Sequence, residues 1–270
     1  MALPSNFSLF VDVDFVKFTD YVVGDVTDRQ QLLDKFSDYE QSLGVIPESD
    51  WKEIIEEIEY KKLGAEWLVK HVYNQGREGS CVSNATCAAV MCVAAKQFGH
   101  NRVPILSPMS LYKRVASGPN TGSTVKDNVD EAMTNGILPV DNPENRNRFK
   151  HVFPATGYRT RLPDGWQETA AKFLIDEVYV CRDYRSVISA QLRGHYVIVG
   201  RQGHSILYLR PTYERGRFYN IYLNSWGDDW GFGLGSVRGG FGVDSLDLIH
   251  RASNWAVAVR TVNFASEVLL

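Results

Sequence analysis

Asn74-Gln-Gly-Arg-Glu-Gly-Ser-Cys81 runs directly into Val-Ser-Asn-Ala-Thr-Cys87-Ala-Ala-Val-Met-Cys92-Val-Ala-Ala-Lys96. The first part is polar and carries Gly76 and Gly79, so it reads as a loop. The second part is apolar nearly all round and rich in Ala, which predicts a helix buried on every side. Cys81 then stands at the first turn of that helix. A helix N-terminus favours negative charge, and the thiolate is the reactive form of cysteine, so Cys81 is where a lowered thiol pKa is expected. Cys87 and Cys92 fall further in and read as inert core thiols. A lone cysteine at a helix start is more often structural than reactive. It becomes chemically meaningful only with a base beside it.

The six histidines are His71, His100, His151, His195, His204 and His250. One of them has a visible cross-strand partner. Tyr196–Gly200, His204–Arg210 and Phe218–Asn224 are short β runs, with Gln202-Gly203 as one turn and Pro211 to Arg217, containing Gly216, as the next. A symmetric register about that second turn pairs Arg210 with Phe218, Tyr208 with Asn220, Ile206 with Tyr222, and His204 with Asn224. Opposed side chains in an antiparallel pair lie about 4.5–5.5 Å apart at Cβ. The Asn224 amide oxygen could then accept from one ring nitrogen of His204, fix its tautomer and aim the other nitrogen outward. A cysteine, a histidine and an orienting amide satisfy the logic of nucleophilic catalysis. Taken one by one, His204–Asn224 reads equally as a structural pair, and Trp226 and Trp230 as core aromatics.

Upstream of residue 69 the chain has a different character. Thr27 and Gln30 fit a capping box, followed at helical spacing by Leu32, Leu33, Phe36, Tyr39 and Leu43, with Gly44 as the stop. A second helix begins near Asp50, with Trp51, Ile54, Ile55 and Ile58 as its apolar stripe and Glu53, Glu56, Glu57 and Glu59 as a solvated face. Ser107-Pro108 and Gly122-Ser-Thr start two more helices. The stretch from Asp141 to Gly165 reads as a polar loop, and strands dominate from about Glu177. Helices first and antiparallel strands after give an α+β fold in two lobes, with residues 1–68 as an N-terminal helical extension and 69–270 as the main domain.

Composition narrows the function. A chain of 270 residues with 44% hydrophobic and 23% charged residues is globular. The net charge of −3 gives no general pull toward nucleic acid or anionic membrane. No run reads as a membrane span and the N-terminus has no secretory pattern. The four cysteines, three of them on one helix, do not look like a disulfide framework, so a reducing, cytoplasmic compartment is expected. Cys87, Cys92 and His100 lack metal-ligand spacing, and Asp12 and Asp14 do not make a cation site, so no metal or organic cofactor is expected.

Gln75 six residues before Cys81, then Gly203-His204, then Asn224-Ser-Trp-Gly-Asp-Asp-Trp-Gly231 together resemble the papain-like cysteine peptidases. His204 and Asn224 follow Cys81 by 123 and 143 residues, near the family's spacing of about 130–150. The resemblance covers roughly His71 to the C-terminus. It implies a papain-like two-lobed fold, with a helical lobe carrying Cys81 and an antiparallel β lobe carrying His204 and Asn224. It implies Cys81 as nucleophile, His204 as base and acid, Asn224 as orienting residue, and Gln75 with the Cys81 backbone N–H as oxyanion donors. Trp226 would cover the Asn–His bond, and Gly79, Ser80, Gly122, Ser123 and Gly203 would line a cleft for an extended peptide or protein substrate.

The chain also departs from the family. Glu78 stands where relatives often carry a disulfide cysteine, Val82 stands where an aromatic usually follows the nucleophile, and the connection before His204 is cut to Gly200–Gly203. These departures resemble disulfide-free relatives from bacteria and their tailed phages. They keep open two rivals to hydrolysis: another acyl transferase or amidase on the same residues, and a papain-fold structural part of a virion with an assembly partner and little turnover. The cathepsin prodomain signature is absent from residues 1–70, so the extension is expected to pack on the back of a lobe and leave Cys81 accessible.

Overall fold

The computed structural model describes residues 3–13, 28–201, 203–252 and 255–269. Thr27 of the expected capping box and Gln202 of the expected turn lie outside them. The N-terminal arm forms a short 3-10 turn, Phe7–Phe10, and Val11 bridges in parallel to Val243. Helices α1 (Arg29–Lys35), α2 (Tyr39–Leu43) and α3 (Glu48–Tyr60) follow. The buried helix is α4 (Cys81–Phe98), and α5 (Pro108–Val115), α6 (Val125–Thr134), α7 (Pro143–Arg148) and α8 (Gln167–Ala170) complete the helical lobe. Then come β1 (Phe173–Cys181), α9 (Tyr184–Leu192), β2 (Tyr196–Arg201), β3 (His204–Glu214), β4 (Arg217–Leu223), β5 (Phe232–Leu234), β6 (Val237–Ser245), α10 (Leu246–Ala252) and β7 (Ala256–Phe264).

The seven strands form one antiparallel sheet in the order β1-β7-β2-β3-β4-β6-β5. Helix α4 packs on one face, where Leu207, Leu209, Val257 and Val259 join its own buried residues in the main core. Every residue of α4 from Cys81 to Ala95 is buried, as its all-round apolar sequence requires. A second core lies on the other face, where Tyr39, Trp51 and Ile55 pack with Ile188, Tyr208, Tyr222 and Ile249. The α+β, two-lobed architecture expected from the sequence is the one observed.

Three local expectations are corrected. The helix expected over 27–43 is two helices. Phe36 is extended, Ser37 accepts from the Val180 N–H at 2.9 Å, and Asp38 bridges in parallel to Val180, so this stretch covers the edge strand β1. Asp28 and Asp38 then cap the two pieces separately. The four glutamates of α3 do not form one solvated face. Glu53, Glu56 and Glu57 are exposed, but Glu59 turns inward to Arg210. Helix α9 interrupts what reads as a run of strands, and its start is a capping box in which Asp183 and Ser186 exchange bonds.

Candidate active site

Cys81 is the first residue of α4. The loop before it is tied to the loop after β4. The Gln75 N–H donates to Ser225 O at 2.9 Å, the Gly227 N–H donates to Tyr73 O at 2.8 Å, and Asn74 bridges to Trp226. The Ser225 hydroxyl donates to Gln75 Oε1 at 2.5 Å, and Gln75 Nε2 donates to Glu78 O at 2.9 Å. One turn past Cys81, Asn84, Ala85 and Ala88 meet Ser205, Asn224 and Ser225 around a cavity of only about 10 Å3, the lower limit for a single water. The helix start and the loop carrying Asn224 are therefore closely packed at that level.

His204 Nε2 lies 2.8 Å from Asn224 Oδ1. The same Oδ1 accepts from the Ser225 backbone N–H at 2.8 Å. An atom that receives a backbone N–H must be the amide oxygen, so His204 Nε2 carries the proton and, in the neutral ring, Nδ1 carries the lone pair. Trp226 covers this pair, its ring 5.0 Å from that of His204 and tilted by 31°, and Trp230 meets Trp226 edge-on at 5.5 Å. His204 and Asn224 are 5% and 2% exposed.

The contact arises differently from the register expected. The turn closes at Arg215-Gly216, both with positive φ, so β3 continues through Pro211 and pairs Glu214 with Arg217 and Tyr208 with Tyr222. A bulge between Tyr208 and Arg210 shifts the ladder again. Pro211 is tolerated because the β2 ladder covers β3 only from His204 to Tyr208. Strand β4 ends at Leu223, and the Asn224 N–H turns away to Gly240 O at 2.9 Å. Asn224 thus reaches His204 from a loop, not from a ladder rung.

Burial pushes the His204 ring down to about 4. The Asn224 bond acts against that shift and nearby Arg201 adds to it. The ring is neutral at pH 7, which suits a base. It also makes stability depend on pH. The folded ring holds its proton only below about 4 and the unfolded ring below 6.5, so between these values the unfolded state binds more protons and stability rises with pH. The contribution is fully present above 6.5 and lost toward pH 4, at most about 3 kcal/mol. Unfolding midpoints in urea from pH 7 to pH 5 should fall more steeply for the native chain than for His204→Gln; parallel curves would refute this.

The remaining candidates are placed as follows. Gly79 packs so closely that a Cβ there would lie 3.0 Å from Gly122 N and 3.1 Å from the Tyr112 hydroxyl. Gly122 has φ +68. The Ser80 and Ser123 side chains turn inward: Ser80 Oγ accepts from Asn84 Nδ2 at 3.1 Å, and Ser123 Oγ accepts from Asn128 Nδ2 at 2.8 Å. Gly203 has φ +76 and directly precedes His204. Cys81 is 0% exposed, against the expectation of an accessible thiol, and Gln75 is 2% exposed.

Two residues were not read as site residues from the sequence. Ser225 joins Gln75 to Asn224, and its place inside Asn-Ser-Trp was the only signal. Glu78 was noted solely for not being cysteine. Its carboxylate accepts from the Gly157 N–H at 3.1 Å and the Tyr158 N–H at 2.8 Å, clamping a distant loop to the loop before Cys81. Glu78→Ala should lower stability by about 1–2 kcal/mol, the scale of charge-assisted bonds at a half-buried group, and raise KM for a peptide substrate. An unchanged melting midpoint would dismiss the clamp. Among the described residues no group of His, Cys, Asp and Glu could hold a metal ion, and no helix is long and apolar enough to cross a membrane.

No family model and no curated protein matches the chain by sequence. Solved structures do match. Procathepsin L2 from the larval midgut of Tenebrio molitor superposes with a TM-score of 0.61 at 16% identity, over 91% of this chain and 80% of that one. Procathepsin L 3 from the same source gives 0.56 at 19% identity, over 73% and 67%. Xylellain, a cysteine protease from Xylella fastidiosa, gives 0.52 at 17% identity, over 71% and 82%. By its sheet, its central helix and these superpositions, the chain has the fold of the papain-like cysteine peptidases.

Proposed function

We propose that the protein is a cysteine peptidase that hydrolyses peptide bonds with Cys81, His204 and Asn224. The observation that carries this reading is the His204–Asn224 bond, with the Ser225 N–H fixing the amide so that His204 Nδ1 is left as the base. Cys81 Sγ–H gives its proton to Nδ1. The thiolate, favoured by the N-terminus of an 18-residue helix, attacks the substrate carbonyl carbon. The negative oxygen that develops is met by Gln75 Nε2 and the Cys81 backbone N–H, where each donor is worth about 2.7–4 kcal/mol. The C–N bond then breaks, and the His204 imidazolium gives its proton to the departing amine. Water, deprotonated by His204, cleaves the thioester and restores the thiol. The backbone of Gly79, Gly122 and Gly203 would flank the substrate.

The complete burial of Cys81 favours a second reading, a papain-fold structural protein with little turnover, as in a virion. One experiment tests both. Asn224→Ala removes the acceptor for Nε2–H and frees the ring to take the wrong tautomer. The expected result is a kcat lowered about 10–100-fold with KM little changed. Native protein that leaves a peptide library uncut fits the structural reading. Cleavage untouched by Asn224→Ala would remove the triad.

A further inference from the structure

A cavity of about 430 Å3 opens at the end of α4 remote from Cys81. Ala95, on its wall, is 14 residues beyond Cys81, roughly 21 Å along the helix axis. The volume falls in the range of about 300–1,000 Å3 usual for ligand sites. Leu63, Trp67, Leu68, Tyr196 and Leu209 give it apolar walls. Its charged lining is entirely cationic: Lys62, Lys96, Arg193 and Arg210, with no acidic side chain.

The two arginines are already engaged. Arg210 binds Glu66 and Glu59, and Arg193 donates to Gly44 O and the Tyr39 hydroxyl. The two lysines are not neutralised: among the described residues, neither Lys62 nor Lys96 has a carboxylate partner. Lys96 Nζ donates to Arg193 O at 3.0 Å and Gly194 O at 3.1 Å, which uses two of its three N–H groups. Its ammonium is pushed down by burial, as expected for a charge lacking a counter-ion.

Lys62 is held at the rim by the turn that ends α3. The Leu63 N–H donates to Ile58 O at 2.9 Å, and Lys62 takes φ +54. Glycine is the usual residue at that position of such a turn. Here the strain is accepted and the ammonium lies 5.9 Å from the centre of the Trp67 ring. Leu63, which lines the cavity, is 64% exposed, leaving apolar surface uncovered at the mouth.

From this apolar chamber with an unneutralised cationic edge, we infer that the protein has a second binding site, distinct from the triad, for an amphiphilic monoanion. The ligand's apolar body lies against Trp67, Leu68, Tyr196 and Leu209, and its carboxylate or sulfonate meets Lys62 and Lys96. A bound ligand would bridge residues 62–68 to the ends of α4 and α9 and so hold the N-terminal extension to the main domain.

The test is calorimetric titration of the full chain with decanoate, with 4-phenylbutanoate to compare an aryl body with an alkyl one. The expected result is saturable one-to-one binding of at least one of these. Octanoate should bind more than tenfold more weakly than decanoate, since each methylene is worth about fourfold. Decanol, equal in length but uncharged, should bind at least tenfold more weakly. Lys62→Glu should weaken binding about tenfold and Lys62→Arg should restore it. Lys62 is exposed on a turn, so both variants should keep the native melting midpoint, which is checked first. No saturable binding of either anion, decanol binding as tightly as decanoate, or equal affinity of the Lys62→Glu chain would each overturn the inference.

Discussion

Cys81→Ala should abolish peptide hydrolysis, a loss of about 10^4-fold or more, while leaving the unfolding free energy within about 1 kcal/mol of the native chain. The size of the loss follows from the role. Without a nucleophile no thioester forms, and only binding and oxyanion donors remain. The small structural effect follows from the substitution, because Ala keeps the helix start and removes one sulfur from a packed site. The same reasoning orders the four thiols. All are buried, so ionisation separates them. Burial pushes Cys92 up to about 12 and raises Cys87 and Cys181 strongly. Cys81 alone sits at a helix N-terminus. Sub-stoichiometric iodoacetamide at neutral pH followed by peptide mapping should therefore mark Cys81 first. Equal labelling of all four, or hydrolysis surviving in Cys81→Ala, would rule out the nucleophile.

The parts of this fold that were legible in the sequence are those where one local rule acts alone. Helix α4 is apolar on every face because every face is buried, and Ser107-Pro108 starts α5 as cap and first-turn residue. The sequence failed where tertiary contacts override spacing. Leu32, Phe36, Tyr39 and Leu43 keep a helical period, yet Ser37 and Asp38 leave the helix to cover the edge of β1. Glu59 looks like its exposed neighbours until Arg210, 151 residues away, is placed beside it.

The site shows the same division. The His204–Asn224 contact was expected from a ladder register that the protein does not use. A two-residue turn, a bulge and an early end to β4 reach the same contact by another route. The motif residues were thus more informative than the geometry assumed for them. Ser225 and Glu78 escaped because their roles lie in partners 150 and about 80 residues away in sequence, which no local pattern encodes.

Glu66→Gln should destabilise the chain by about 3–5 kcal/mol, the scale of stripping one partner from a buried ion pair, against a total of about 5–15 kcal/mol for a domain. Arg210 and Glu66 are each 2% exposed. Arg210 Nε lies 3.0 and 2.8 Å from the two Glu66 oxygens, and Nη2 lies 2.8 Å from Oε1. Glu59 adds a bond to Nη1 at 2.9 Å and accepts from the Thr212 hydroxyl at 2.9 Å. Removing the Glu66 charge leaves a guanidinium buried with one partial counter-ion. Glu66→Gln combined with Arg210→Met should recover most of the loss, because the cost lies in the unpaired charge and not in the absence of the pair. Both acids belong to the segment before residue 69, as do Leu32, Tyr39, Trp51 and Ile55, each no more than 1% exposed. Tyr39, Trp51 and Ile55 pack on the sheet face opposite α4, with Tyr208 and Tyr222. That placement argues for the extension as part of the fold. Deleting residues 1–66 removes these side chains and both carboxylates at once, so chemical denaturation of the truncated chain should show a lost or much lowered midpoint and no gain of activity. A truncated chain that keeps its midpoint and gains peptidase activity would instead make the segment an inhibitory propeptide, and would assign the burial of Cys81 to it.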